Sequence, residues 1–445
     1  MNIAESTLAR LVGAIDTMTP TEFSNAPGIY FTRNRKLGFK SVILLSIGAL
    51  KGTTFEHSRR FFMAAGYSPD MAPSQSALTQ QKQKFSPDAF PTLLYRFNSQ
   101  FKCNTFEGFQ LLACDGTGLA FNSDWDYDCY VPGPNKYFGV HMVALYDLGS
   151  HKYIDAEIQP ARLKNEHEAI CLLCRRQKPN DLKRLLIADR GFGSYNFYVH
   201  AQQTGTSFLV RLSKSHAQSL AGGDSKLQEL GETFDVSLKL HLVRHNRKAT
   251  YMHPDELDSY RVIAPHTQFD HLEHLQDGEI DINIRLVCIK LDDGSYEYLA
   301  TNLSSGSFPP DKLKKVYRLR WGIETSFRFL KVTLGAEHFH SRKRELIIQE
   351  IWSRMILYNF CMEITNHAAA ELKIRAQQEK WKYVYRLNES EALKTCHDFL
   401  LMDKRALHNM DVIGWILKAG YCPVRTGRTY ERKKSPHGAK SFNCR

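Results

Sequence analysis

A single carboxylate stands among cations in the segment from Tyr317 to Lys331. At about 100° per residue of an α-helix, Glu324 shares one face with Arg320, Arg328 and Lys331. A second face carries an apolar stripe made of Leu319, Ile323, Phe327 and Leu330. A glutamate in this setting can bind a metal ion while its neighbours hold the phosphates of a nucleic acid. A basic surface helix with an incidental glutamate has the same composition, so this helix alone leaves both interpretations open.

Two aspartates follow short apolar runs, and each is close to a glycine. Asp115 comes after the run that starts at Phe109 and begins an Asp-Gly-Thr-Gly sequence, and Asp189 comes after the run 184–188 and precedes Arg190 and Gly191. Such runs predict buried strands that deliver a carboxylate to the edge of a sheet, where open α/β sheets place their ligands. Taken singly, an Asp-Gly after a strand is usually a turn. Together with Glu324, the two aspartates favour a functional site.

Three carboxylates in one place need a counter-charge. They repel one another, and burial raises their pKa values, unless a divalent cation neutralises them. Carboxylate oxygens select Mg²⁺, for which Mn²⁺ can substitute. Two such ions can activate a water or hydroxyl and stabilise the leaving oxygen of a phosphodiester. The residues therefore predict metal-dependent phosphodiester cleavage or transfer, with Asp115, Asp189 and Glu324 as catalytic metal ligands.

The order and spacing of these motifs resemble those of the DDE transposases. Tyr317, Arg320, Glu324 and Lys331 repeat the Tyr-Arg-Glu-Lys signature of the bacterial insertion-sequence-four family, and the resemblance covers residues 105–365 best. It implies an α/β fold with a ribonuclease-H-like catalytic core. It also implies a DNA transposase that cuts an insertion sequence at its terminal inverted repeats and joins it to target DNA, by cut-and-paste with a hairpin intermediate. The implied partners are double-stranded DNA and a second copy of the chain, as a homodimer in the synaptic complex.

Two other functions remain open at this stage. One is a metal-dependent nuclease of the same fold, which cuts DNA but does not join strands. The other is a non-catalytic DNA-binding derivative that acts as a repressor, and the intact carboxylates argue against it. Terminal inverted repeats beside the coding region would favour the transposase over both.

Composition is consistent with a nucleic-acid partner. The 445-residue chain has a formal net charge of +12 and a pI near 9.1, which suits a polyanion. No apolar run is long enough to cross a bilayer, and the first residues do not form a signal peptide, so we expect a cytoplasmic, nucleoid-associated protein without membrane contact. The ten cysteines are scattered in apolar patterns, as is typical of reduced core thiols.

Changes of pattern along the chain predict five regions. Residues 1–105 form a helical DNA-binding region, and residues 106–213 form the first part of the ribonuclease-H-like core. Residues 214–305 alternate as strands do and form a β-rich insertion. Residues 306–372 complete the core, and residues 373–445 form a C-terminal region with a basic tail.

The remaining DNA-binding candidates come from both ends of the chain. The helix that begins after Ser74 is rich in Gln and Lys, which can read base edges and meet phosphates in a major groove, although a solvated helix face has the same pattern. The basic tail is suited to phosphate contact or to solubility. These candidates are Gln80, Lys82, Lys84, Arg432, Lys433 and Lys434, which add to Tyr317, Arg320, Arg328 and Lys331 beside the carboxylates.

The insertion departs from the best-known members of the family in one respect. The resemblance implies that it closes over the DNA ends, but there is no tryptophan between Trp125 and Trp321 to stack on a flipped base. Tyr251, His253 and Tyr260 could stack in its place, and the sequence does not decide among them.

Overall fold

The computed structural model describes residues 2–33, 36–50, 52–123, 125–177, 182–244, 258–271, 279–402 and 410–424. The predicted tail contacts Arg432, Lys433 and Lys434 lie outside these described residues, as do the stacking candidates Tyr251 and His253. Among the described residues, no helix is both long enough and apolar enough to cross a membrane.

Helices make up most of the described chain before residue 105. In order they are α1 (Ile3–Asp16), α2 (Pro20–Phe23), α3 (Phe39–Gly48), α4 (Thr54–Ala64), α5 (Gln75–Lys82) and α6 (Ala89–Asn98). The first begins at a capping box, in which Asn2 accepts from the backbone N–H of Glu5 and the Glu5 side chain accepts from the Asn2 N–H. The fifth begins at Ser74, whose hydroxyl accepts from the backbone N–H of Ala77.

Ten described strands form one mixed sheet. They are β1 (Phe109–Phe121), β2 (Tyr130–Val131), β3 (Tyr137–Asp147), β4 (Lys152–Pro160), β5 (Lys183–Ala188), β6 (Ser207–Leu212), β7 (Phe234–Arg244), β8 (Tyr260–Ile263), β9 (Glu279–Lys290) and β10 (Tyr296–Thr301). Their order across the sheet is β2-β3-β1-β5-β6-β10-β9-β7-β8, and β4 pairs with β3. Strands β1, β5 and β6 run parallel, whereas β3 is antiparallel to β1.

The strands of the predicted insertion continue this sheet. Strand β10 pairs antiparallel with β6, and β9 and β7 follow outward from it. Before these strands the insertion begins with two described helices, α9 (Lys214–Ala221) and α10 (Asp224–Glu229). The insertion is therefore joined to the preceding part of the sheet through the pairing of β10 with β6.

Alternation along β1 divides the core between the two sides of the sheet. Ala113 enters a cluster with side chains of the helices before residue 105, while Leu112 and Cys114 enter a second cluster. That second cluster also takes side chains from α7 (Glu166–Arg176) and α8 (Tyr195–Gln203). Asp115 is two residues after Ala113 and so shares its side of the sheet.

The basic segment found in the sequence is helical but not one regular helix. It comprises α11 (Pro310–Leu319), α12 (Trp321–Arg328) and a π-helical turn (Phe329–Thr333), and the first two meet at Arg320. Of the predicted apolar stripe, Ile323, Phe327 and Leu330 are buried. The prediction that Leu319 belongs to this buried stripe is wrong, because Leu319 ends α11 and is 48% exposed.

A long buried helix, α13 (Arg344–Gln378), follows this segment and has 35 residues. Its apolar side chains enter the same cluster as Ala113, which joins the sheet to the helices of the first hundred residues. The chain then forms β11 (Tyr385–Leu387), α14 (Glu389–Leu400), α15 (Val412–Lys418) and β12 (Tyr421–Pro423). Strands β11 and β12 pair with each other.

Candidate active site

Backbone register places two aspartates at the same level of the sheet. In the parallel pairing of β1 with β5, Cys114 lies opposite Ala188, the last residue of β5. Asp115 directly follows Cys114, and Asp189 directly follows Ala188. The expectation that Asp115 ends its strand is wrong, because β1 continues to Phe121 in antiparallel pairing with β3.

Arg320 joins the two aspartates to Glu324. Its Nη1 lies 3.2 Å from Asp115 Oδ2, and its Nη2 lies 2.7 Å from Glu324 Oε1 and 3.9 Å from Asp189 Oδ2. The guanidinium is almost fully buried, so these contacts are shielded from solvent. The structure thus brings together the three carboxylates that the sequence singled out.

Tyr317 lies one turn before Arg320 and is also buried. Its hydroxyl donates to Asp189 Oδ1 over 3.1 Å. Burial, together with the neighbouring Asp189 carboxylate, raises the pKa of Tyr317, so the hydroxyl keeps its proton and remains a donor. The residue fixes one oxygen of Asp189 from the α11 side.

The two aspartates respond differently to their surroundings. Burial raises the pKa of Asp115, and the nearby Glu324 and Asp189 charges add to this against the Gly116 N–H and Arg320. Burial also acts on Asp189, but the Arg190 N–H and the charge of Arg320 outweigh it and lower its pKa. A cation placed between them would favour the ionised form of both carboxylates, including Asp115, whose ionisation burial opposes.

Two further charged side chains adjoin Asp189, and motif analysis missed both. Arg211 on β6 contributes to the lowered pKa of Asp189, and its Nε lies 3.5 Å from Glu297 Oε1 on β10. Burial raises the pKa of Glu297. The available signal was a charged residue inside an otherwise apolar strand, in Ser207–Leu212 and in Tyr296–Thr301.

The other basic residues of the signature segment have different positions. Arg328 is exposed at the end of α12. Lys331 lies in the π-helical turn, where the wider helix shifts it from the position that a regular wheel gives. Burial lowers the pKa of Lys331, and Glu337 is the carboxylate that opposes this.

The proposed DNA-reading helix near Ser74 does not present all of its candidates. Gln80 is exposed, and Lys84 is half-buried with its Nζ 5.3 Å from the centre of the Tyr30 ring. The prediction that Lys82 contacts DNA is wrong, because its side chain is buried near Glu350. A DNA phosphate cannot reach it in this structure.

The donor atoms beside Arg320 suit a hard cation. Asp115, Asp189 and Glu324 offer carboxylate oxygens, which are the ligands that Mg²⁺ and Mn²⁺ prefer. A second described group with metal-ligand chemistry lies across β7 and β9, where His241, Glu279 and Asp281 bring one ligand atom each within 4.8 Å of one another. In that group His241 Nδ1 lies 2.9 Å from Glu279 and 2.6 Å from Asp281, so hydrogen bonding between the histidine and the two carboxylates explains the group as well.

Comparison with known proteins gives the family. Residues 107–360 match the transposase DDE domain, which is more than half of the 445-residue chain. The chain belongs to this transposase family. All three carboxylates lie within the matched residues.

A curated relative and a solved structure add to this finding. The chain is 21% identical over 231 residues to the transposase for insertion sequence element IS1151 of Clostridium perfringens, which is 47% of each protein. The chain thus matches about half the length of this relative. It is also similar to the piggyBac transposase in a synaptic complex with hairpin DNA, with a TM-score of 0.41, 11% identity, and coverage of 94% of this chain and 81% of the other.

Proposed function

We propose that this protein is the DNA transposase of a bacterial insertion sequence of the insertion-sequence-four type. It cuts the element at its terminal inverted repeats and joins it to target DNA by phosphodiester hydrolysis and strand transfer. The observation that carries the proposal is the gathering of Asp115, Asp189 and Glu324 around Arg320 inside the residues that match the transposase family.

The three carboxylates would hold Mg²⁺, or Mn²⁺ in its place. When bound, such ions activate a water or hydroxyl and stabilise the leaving oxygen of the scissile phosphodiester. The chain's own groups orient the ligands: the Gly116 N–H donates to Asp115 Oδ1 and the Arg190 N–H donates to Asp189 Oδ1, each over 2.8 Å. Donors that fix the carboxylates in advance lower the cost of arranging them around a charge.

Arg320 has two tasks in this proposal. The first is to supply positive charge to the carboxylates, through its ion pairs with Asp115 and Glu324. Its second task would be to bind a phosphate of the cut end with the donors that Asp115 and Glu324 leave unused, which requires DNA binding to expose a side chain that is buried here. Lys331 and Arg328 lie further along the same segment and would bind neighbouring phosphates.

The wider organisation is part of the proposal. We assign residues 106–213 and 306–372 to a ribonuclease-H-like core, and residues 214–305 to an insertion that covers the DNA ends. Tyr260, the described stacking candidate of the insertion, is buried beside His241, so it does not present its ring to a DNA base in this structure. Residues 1–105, with exposed Gln80 and half-buried Lys84, would help to recognise the ends, and residues 373–445 would add phosphate contacts. The proposal also includes cut-and-paste transposition through a hairpin intermediate and a homodimeric synaptic complex. It places the protein in the cytoplasm, associated with the nucleoid.

A strand-transfer assay tests the proposal. Purified protein is incubated with Mg²⁺, DNA taken from the borders of its own coding region, and a supercoiled target plasmid. A transposase yields cut ends, hairpins and joined products. Cut ends without joined products would support a nuclease instead, and specific binding without cleavage would support a repressor.

A further inference from the structure

A histidine–glutamate pair lies close behind Gly116, and its glutamate is also near Gly191, the glycine that follows Asp189 and Arg190. His141 on β3 is buried, and its Nε2 lies 2.7 Å from Oε1 of Glu166, the first residue of α7. The hydrogen bond from His141 lowers the pKa of Glu166 against the effect of burial. The carboxylate is therefore ionised near neutral pH and can only accept, so Nε2–H is the donor.

The pair fills space that glycines leave. A Cβ atom added to Gly116 would lie 2.6 Å from both Glu166 Oε1 and His141 Nε2, which real Cβ contacts do not reach. A Cβ added to Gly191 would lie 3.6 Å from Glu166 Oε2, which is ordinary contact. Glu166 thus lies close behind Gly116, with room for a Cβ atom between it and Gly191, on the side of the sheet away from Arg320.

These two stretches of backbone orient the aspartates. The Gly116 N–H donates to Asp115, and the Arg190 N–H, one residue before Gly191, donates to Asp189. Any movement of either backbone therefore moves a donor that fixes a carboxylate. A group that lies close behind Gly116 and near Gly191 limits how far each of these backbones can move relative to the other.

We propose that His141 and Glu166 form a positioning pair that braces the two motifs, so that Asp115 and Asp189 meet a divalent cation in one geometry. The pair touches neither DNA nor the cation and acts through the backbone. The inference rests on the proposed function, because it takes the two aspartates as metal ligands. Removing a group that orients metal ligands in this way typically weakens metal binding about 10–100-fold.

Direct binding of Mn²⁺ tests the pair without requiring turnover. Electron paramagnetic resonance of free Mn²⁺ gives the affinity of the full chain, and the Asp115→Asn variant defines the binding that belongs to this site. Glu166→Ala should weaken that binding roughly 10-fold. Glu166→Gln keeps the shape and a hydrogen bond to His141, so it should keep most of the affinity.

A second histidine–carboxylate pair supplies the matched control. His200 on α8 is buried, and its Nε2 lies 2.8 Å from Asp270 Oδ2. Asp270→Ala removes a similar contact from another part of the same sheet side and should leave Mn²⁺ binding unchanged. Thermal unfolding of each variant shows whether it is folded at the temperature of the measurement.

The possible outcomes separate this inference from the proposed function. The positioning pair is supported if Glu166→Ala binds Mn²⁺ more weakly while Glu166→Gln and Asp270→Ala bind it about as tightly as the unaltered protein. Unchanged binding by folded Glu166→Ala, with binding lost in Asp115→Asn, overturns the pair and leaves the metal site standing. Unchanged binding by Asp115→Asn overturns the metal site itself, and the inference with it.

Discussion

Cys114 and Ala188 are direct partners in the parallel pairing of β1 and β5. The residue after each is an aspartate, so Asp115, within β1, and Asp189, just after β5, lie at the same level of the sheet. Backbone hydrogen bonds between β1 and β5 set this register. Changing a carboxylate to an amide should therefore leave the sheet intact, which makes such variants informative about chemistry.

Replacing Asp115, Asp189 or Glu324 by the matching amide should reduce DNA cleavage by orders of magnitude. Neutral amides cannot hold divalent cations at a phosphodiester, while basic surfaces elsewhere are unchanged. Binding to the element's ends should persist in a gel-shift assay. Asp311→Asn, an exposed change on α11, is the control and should cleave normally. Normal nicking by Glu324→Gln would contradict the assignment.

Cleavage should depend on the kind of divalent cation. Mg²⁺ and Mn²⁺ should support it, because they favour compact octahedral sites of carboxylate oxygens. Ca²⁺ should permit assembly on DNA with little cleavage, since its coordination is larger and more variable. Product formation is measured at equal concentrations of each ion and with excess chelator. Full activity in the chelator would refute the metal site.

Local sequence patterns predicted individual elements well. The helix after Ser74 was predicted, and α5 begins at Gln75, because Ser74 is a recognisable N-cap. The strand that ends at Ala188 was also predicted, since an apolar run before Asp-Arg-Gly is a strong local signal. The gathering of the three carboxylates followed from motif order together with family resemblance.

Properties that depend on distant contacts could not be predicted in this way. Lys82 lies on a polar helix, but α13 packs against it and places Glu350 nearby, some 270 positions along the chain. The continuity of the insertion with the sheet depends on the pairing of β10 with β6, which alternation does not reveal. Arg211 and Glu297 belong to no motif, and their proximity to Asp189 comes from this same pairing.

Arg320→Ala should make the folded state depend on Mg²⁺. Removing the guanidinium leaves Asp115 and Glu324 without their hydrogen-bonded cation, at a cost of about 2–3 kcal/mol. A divalent cation can replace that charge. Added Mg²⁺ should therefore raise the unfolding temperature of Arg320→Ala more than that of the unaltered protein. Equal shifts in the two proteins would contradict the charge-balancing role.

Lys331→Ala and Arg320→Ala should also weaken capture of the cut end. If each residue binds one phosphate, the salt dependence of end binding should become shallower by about one unit per variant. Lys315→Ala is the control, because Lys315 is exposed on α11, away from Glu324. Lys312 is less suitable, since it forms an ion pair with Glu107. If Lys315→Ala and Lys331→Ala reduce end binding equally, a generally basic surface explains the binding and Lys331 has no specific role in it.

His57 should make the folded state sensitive to acid. It is buried with its Nε2 3.1 Å from Leu50 O, and burial, aided by the charges of His340 and Arg354, lowers its pKa from 6.5 to about 3. The unfolded chain therefore takes up this proton at higher pH than the folded chain does. The stability that His57 contributes is complete above pH 6.5 and is lost as the pH falls toward 3.

Urea unfolding at neutral pH and at about pH 4 measures this contribution. Over that interval the free energy of unfolding should fall by about 3 kcal/mol because of His57, since each unit of pKa difference corresponds to about 1.4 kcal/mol. His57→Gln retains a donor for Leu50 O but does not titrate, so its free energy of unfolding should fall less between the two conditions. His266→Gln changes an exposed histidine and should follow the unaltered protein. If His57→Gln loses as much stability on acidification as the unaltered protein, the buried neutral histidine is not the acid-sensitive group.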